Sequence, residues 1–125
     1  MDRRLGIAAG SIFCAFSFAA FVNAAEKFQK LNGAQVHAKL AGMEVTDDVH
    51  WRDVFERNGV LTSFSMGRKS VGKWKVENDR LCLDRGKDPG SGCYEVWLSG
   101  TNVELRTTGS GLPLEGRLQR PSGVR

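Results

Sequence analysis

The densest cluster of chemically active side chains in this chain is Asp47, Asp48 and His50. A carboxylate and an imidazole can bind zinc or exchange protons, but either kind of site needs a third ligand or a nucleophile. The only other histidine, His37, falls on a predicted helix, and no spacing supplies the missing group. We therefore interpret the cluster as a solvated turn and predict no catalytic residue, no metal site and no cofactor.

The three cysteines are Cys14, Cys82 and Cys93. The spacing of the last two lacks the CxxC arrangement that lowers a thiol pKa for redox exchange. If the N-terminal segment described below is removed as a signal peptide, only Cys82 and Cys93 remain. An even number of cysteines in an exported chain favours a structural disulfide between them. Cys14 is interpreted as filler, because bulky Phe13 precedes it where lipoprotein processing needs a small residue.

Export is indicated by the first residues of the chain. Arg3 and Arg4 precede an apolar stretch over 5–22, which ends in small residues at Ala24. This pattern predicts a signal peptide over 1–24, cleaved after Ala24 or alternatively Ala25, and a periplasmic or secreted protein. An uncleaved membrane anchor is the competing interpretation. The remainder is predicted to be one domain, 25–118, with a loose tail over 119–125.

Cationic side chains outnumber acidic ones by 18 to 14, which is too weak a bias to indicate nucleic-acid binding. Two features remain possible interaction surfaces. One is a group of cations at Arg68, Lys69, Lys73 and Lys75, which equally describes a solvated strand edge. The other is Trp97, which either anchors a partner or covers the disulfide.

A short helix is predicted over 33–41. Asn32 is the N-cap, Gln35 completes a capping box, and Gly42 provides the C-terminal stop. Its apolar residues, Val36 and Leu40, stand four apart on one face, which must dock on another element.

From about Val49 the hydrophobic period becomes two, and turn residues recur at short intervals. This predicts an antiparallel meander of six to eight strands, forming an open or partly closed small barrel. Trp74 and Val76 are expected to face inward, with Lys73 and Lys75 outward.

Two strand registers are predicted. Pairing Phe55 with Val60 places Trp51 opposite Phe64, with Val60, Thr62, Phe64 and Met66 facing the core. Placing Cys82 across from Cys93 brings Leu81 to Tyr94 and Arg80 to Glu95, so that one register provides a disulfide, an apolar pair and an ion pair. Further strands are expected around Val103 and Leu105, and around Leu114 and Leu118.

The order of turn and core motifs resembles that of small exported alphaproteobacterial proteins of unknown function. The matching motifs are Leu31-x-Gly33, Leu40-x-Gly42, Trp51-x-x-x-Phe55-x-x-x-Gly59, Gly72-x-Trp74-x-Val76, Leu81-Cys82-Leu83 and Cys93-Tyr94-x-Val96. The resemblance implies a short helix with a lipocalin-like antiparallel half-barrel, and it transfers no catalytic residue.

Three functions follow from these observations. The first is an exported, non-enzymatic binding or interaction module for an unknown protein or ligand. The second is a carrier of a small apolar ligand, with Trp51, Phe64, Trp74 and Tyr94 surrounding a cavity or filling a core. The third is an enzyme of unknown type.

Overall fold

The computed structural model describes residues 6, 10–12, 14–15, 27–109 and 111–123. Most of the predicted signal and both candidate cleavage sites therefore lie outside the described residues. Within them, no helix has the length and hydropathy needed to cross a membrane. The elements are β1 (Gln29–Lys30), α1 (Gly33–Leu40), β2 (Glu44–Thr46), β3 (Trp51–Phe55), β4 (Val60–Ser65), β5 (Arg68–Glu77), β6 (Arg80–Asp84), β7 (Gly92–Ser99), β8 (Asn102–Arg106) and β9 (Leu114–Gln119).

Strands β2 to β9 form a closed, up-and-down antiparallel barrel. Each strand pairs with the next in sequence, and β2 pairs with β9 to close the ring. The short β1 pairs with β7 outside this ring. The prediction of a small antiparallel barrel is thus confirmed. Closure leaves no unpaired edge among the eight barrel strands.

Helix α1 packs its apolar face into the barrel core at one end. The predicted capping box is present, because Asn32 and Gln35 exchange side-chain-to-backbone hydrogen bonds of 2.9 Å. Val36 and Leu40 are buried. The ring of His37 lies against the ring of Trp74 at a tilt of 33°, with centroids 5.6 Å apart. This end of the barrel is therefore filled.

Alternation along β5, β6 and β7 places the side chains as predicted. Trp74 is buried, whereas Lys73 and Lys75 are exposed. The other buried apolar side chains of these strands include Leu81, Leu83, Tyr94 and Val96. Cys82 lies directly across from Cys93, and the two form the predicted disulfide, with Leu81 opposite Tyr94.

The cation predicted to pair with Glu95 is different in the structure. Lys30 of β1 forms the ion pair at 2.8 Å, because β1 lies against β7 there. The hydrogen bond from Lys30 is the main cause that lowers the pKa of Glu95, and a bond from Trp97 and the charge of Arg80 act in the same direction.

The predicted register between β3 and β4 is wrong by one residue. Phe55 lies opposite Leu61, not Val60. The connecting loop is three residues long, 57–59. Gly59 takes the left-handed conformation (φ 89°), and the backbone N–H of Glu56 donates to the backbone carbonyl of Val60, which pairs these two residues across the loop. Every side chain of β4 consequently points opposite to the predicted direction, since the side-chain period is two.

Two residues near the end of the described chain, Gln119 and Ser122, contact the barrel through Glu44 of β2. The carboxylate of Glu44 is fully buried and accepts hydrogen bonds from Gln119 at 2.6 Å and from Arg52 at 3.3 Å. The hydroxyl of Ser122 also reaches Glu44, at 3.4 Å. These bonds satisfy a buried charge that would otherwise be costly.

Candidate functional site

A cavity of about 620 Å³ lies inside the barrel at the end opposite α1. We call this the open end. Four loops there connect the barrel strands in pairs, and their described residues are 47–50, 66–67, 85–91, 107–109 and 111–113. The volume is within the range of about 300 to 1,000 Å³ that is usual for small-molecule sites.

The cavity has chemically different walls. Three serine hydroxyls, from Ser63, Ser65 and Ser70, line the side formed by β4 and β5. Other parts of the lining are apolar and come from Trp51, Met66, Pro89, Leu105 and Leu114. Such a site offers hydrogen bonds to one side of a molecule and apolar contact to the other.

A bidentate ion pair forms part of the lining. The guanidinium of Arg85 donates to both carboxylate oxygens of Asp53, at 2.6 and 3.2 Å, and also to the hydroxyl of Ser63 at 2.9 Å. Desolvation lowers the pKa of Arg85, but the hydrogen bond and charge of Asp53 outweigh it and raise the pKa above its ordinary value. Arg85 is therefore a fixed cation whose charge Asp53 balances.

A second ion pair spans the mouth of the cavity. Arg68 of β5 donates to Asp88 of the 85–91 loop at 3.1 Å. Both residues line the cavity, and both are far more exposed than the pair below them. The charged residues of the lining are thus two cations and two anions, each paired with its opposite, so the site carries no net charge.

Space for the indole of Trp51 depends on Gly116 of β9. A Cβ at position 116 would lie 3.0 Å from the ring atom Cη2 of Trp51 and 2.7 Å from Val45 Cγ1. Only a residue without a side chain lets the ring lie against β9, so Gly116 helps to set the shape of the cavity.

Of the four aromatic residues predicted to surround a cavity, the structure places Trp51 in its lining. Trp74 and Tyr94 are buried in the core, where Trp74 donates to the carbonyl of Glu56 at 2.8 Å. Phe64 lies outside the barrel as a result of the register slip, and the guanidinium of Arg52 covers its ring at 3.9 Å.

The four predicted basic residues do not form one surface. Arg68 lines the cavity, whereas Lys69 lines grooves on the outside of the barrel. Lys73 and Lys75 are exposed farther along β5, and Lys75 pairs with Glu77 at 3.2 Å. Alternation along the strand separates the first cation from the other three.

Trp97 is half-buried on the outside of β7. The guanidinium of Arg106 lies over its ring at 4.0 Å, and its indole nitrogen donates to Glu95 at 3.4 Å. Arg106 in turn pairs with Glu104. The face of this ring is therefore covered by the protein's own side chain, which weakens the interpretation of Trp97 as an anchor.

Asp47 and His50 form a closed turn. One oxygen of Asp47 accepts hydrogen bonds from the backbone N–H groups of Val49, His50 and Trp51, and the other contacts the His50 ring at 2.8 Å. Desolvation raises the pKa of Asp47, but these bonds outweigh it and hold the pKa far below its ordinary value. Across the described ranges, no three His, Cys, Asp or Glu side chains are grouped to hold a metal.

The polar half of the cavity was missed by sequence reasoning. Asp53 stands between Trp51 and Phe55, so the predicted parity of β3 already placed a carboxylate among inward-facing residues. This signal was available. The partner Arg85 was not visible, because it lies in a loop that comes near β3 only after the barrel closes.

No protein-family model, curated protein or solved structure matches this chain. Its function must therefore be argued from its own geometry.

Proposed function

We propose that this protein is an exported, non-enzymatic binding protein that holds one small, uncharged amphiphile in the cavity at the open end of its barrel. The cavity of about 620 Å³, lined by three serine hydroxyls, two charge-balanced ion pairs and apolar side chains, carries this proposal. The disulfide and the N-terminal signal pattern support a periplasmic or secreted location.

The balanced charges of the lining favour a ligand without net charge. An anion entering the site would meet Asp53 and Asp88, and a cation would meet Arg68 and Arg85. Either ion would have to separate an existing pair or lose its hydration without a partner. A hydroxylated or ether-bearing group instead forms hydrogen bonds with the three serines at no such cost, while an alkyl or ring portion packs on Trp51 and Leu105.

Binding of a neutral fluorescent probe, N-phenyl-1-naphthylamine, tests the proposal. The full chain is expected to enhance its fluorescence at one site per molecule. Ser65→Trp places a large ring in the cavity and should abolish the enhancement. Ser65→Ala keeps the volume and Val71→Trp adds the same ring on the outside of β5, so both should retain it.

Displacement of the probe tests the ligand class. An alkyl glucoside is expected to displace it at a lower concentration than a fatty acid or an alkylamine of the same chain length. Probe binding that survives Ser65→Trp would contradict the site, and preferential displacement by either charged chain would contradict the ligand class.

A further inference from the structure

The exposed apolar side chains of the barrel domain are concentrated at the open end. We call this surface the rim, defined as the described loop residues 47–50, 66–67, 85–91, 107–109 and 111–113 with the adjoining Leu114. Among the described residues from 27 onward, the large apolar side chains that are exposed are Val49, Met66, Val71, Leu112 and Leu114, and all but Val71 belong to the rim. Val49, Met66 and Leu112 are 79%, 78% and 94% exposed.

These side chains come from three separate loops and a strand start at the open end, and two of them, Met66 and Leu114, line the cavity. Protein partners usually require a continuous complementary surface, of about 800 Å² on each side. Isolated apolar residues at loop tips suit a lipid bilayer better, because each side chain enters the acyl region independently.

The acidic side chains of the rim are already held by hydrogen bonds or ion pairs within the protein. Asp47 is held by backbone amides, Asp48 by Arg117 at 2.7 Å and Asp88 by Arg68.

The lysines at this end are different. Lys87 lies in the 85–91 loop, and Lys69 lies next to the 66–67 loop in a groove shared with Val49. Within the described part of the chain, neither lysine has an ion-pair partner. Two lysines without an ion-pair partner therefore lie beside Val49 and in the 85–91 loop, where they complement the phosphates of anionic lipids. Glu115, which follows Leu114 on β9, also forms no ion pair within the described part of the chain.

We propose that the rim docks on an anionic lipid bilayer, with Met66 and Leu112 inserted among the lipids and Lys69 and Lys87 at the headgroups. In this orientation the cavity mouth faces the membrane. The docking goes beyond ligand binding and does not require an occupied cavity.

Single cysteines carrying a polarity-sensitive fluorophore test the orientation. They are placed at positions 66, 112 and 71 of the full chain in a Cys14→Ser background, with the disulfide kept oxidised. Vesicles of phosphatidylglycerol and phosphatidylethanolamine should shift the emission to the blue at 66 and 112, and leave it unchanged at 71. Comparing positions on the same chain removes any contribution that the apolar N-terminal segment makes to vesicle binding.

Charge variants test the role of the lysines. The double variant Lys69→Gln/Lys87→Gln should raise the lipid concentration that gives a half-maximal emission shift at position 112 by about 30-fold. Each lost lysine charge is expected to weaken lipid binding by about fivefold, and the two factors multiply. The matched pair Lys73→Gln/Lys75→Gln, on the side of the barrel, should leave it nearly unchanged. Equal effects of the two pairs would overturn the role of Lys69 and Lys87.

Three outcomes would overturn docking through the rim. They are no shift at any position, an equal shift at 71, and a shift at 66 and 112 that grows with protein concentration in the absence of lipid. The last outcome would show that a second copy of the chain covers the rim.

Discussion

The ion pair between Asp53 and Arg85 is the part of the cavity whose energetics can be worked out most fully. Their side chains are 8% and 17% exposed, and two hydrogen bonds join the carboxylate to the guanidinium. Asp53→Leu leaves the guanidinium without its counter-charge inside the barrel. Breaking a buried pair in this way usually costs about 3 to 5 kcal/mol of unfolding free energy. Because Arg85 keeps some contact with solvent at the cavity, we expect the lower end, about 3 kcal/mol.

A double-mutant cycle separates the pair from its environment. Arg85→Met, which leaves Asp53 unpaired, should cost about as much as Asp53→Leu. The double variant replaces both charges with apolar groups and should lie within about 1 kcal/mol of the wild type, so that its destabilisation is smaller than that of either single variant.

Urea unfolding at neutral pH, followed by tryptophan fluorescence with the disulfide intact, measures these values. Glu77→Gln in the exposed pair with Lys75 is the control, and it should change the stability by less than about 0.5 kcal/mol. Two results would refute the view that Asp53 compensates the buried positive charge of Arg85. One is a loss of unfolding free energy below about 1 kcal/mol for Asp53→Leu, and the other is a double variant that is less stable than both single variants.

Three further predictions concern the frame of the barrel. Replacing both disulfide cysteines by serine should lower the unfolding free energy by about 3 kcal/mol in urea melts, because the bond spans a sequence separation of 11 and restricts the unfolded chain; an unchanged midpoint would contradict this. Gly72→Ala should cost about 1 to 3 kcal/mol, since its Cβ would lie 2.2 Å from a backbone carbonyl oxygen of β6, whereas Gly109→Ala meets open space and should be nearly silent. Asp47 has a folded-state pKa below its ordinary 3.8, so its contribution to stability is present above pH 3.8 and is lost as the pH falls below it. Asp47→Asn should therefore make the unfolding free energy fall less steeply as the pH drops below 3.8. If it falls as steeply as in the wild type or in the Asp48→Asn control, the hydrogen bonds to Asp47 do not stabilise its ionised form.

Local patterns in the sequence were sufficient wherever a structural property depends on neighbouring residues. The capping residues Asn32 and Gln35 predicted where α1 begins, since a cap bonds to backbone groups one turn away. Alternation predicted that Trp74 is buried between exposed lysines, and the one register that satisfied several pairs at once predicted the disulfide between Cys82 and Cys93.

Tertiary structure decided what depends on distant segments meeting. With Gly59 in the left-handed conformation, the turn between β3 and β4 is one residue shorter than predicted. The register therefore shifts by one residue and Phe64 faces the outside of the barrel instead of the core, which a count of apolar residues does not reveal. Closure of β2 on β9 brought Arg85 to Asp53 and Gly116 to Trp51, and these contacts shape the cavity. Alternation specifies the face of a strand on which a side chain lies, but the residue opposite is specified only by turn geometry and by closure of the ring.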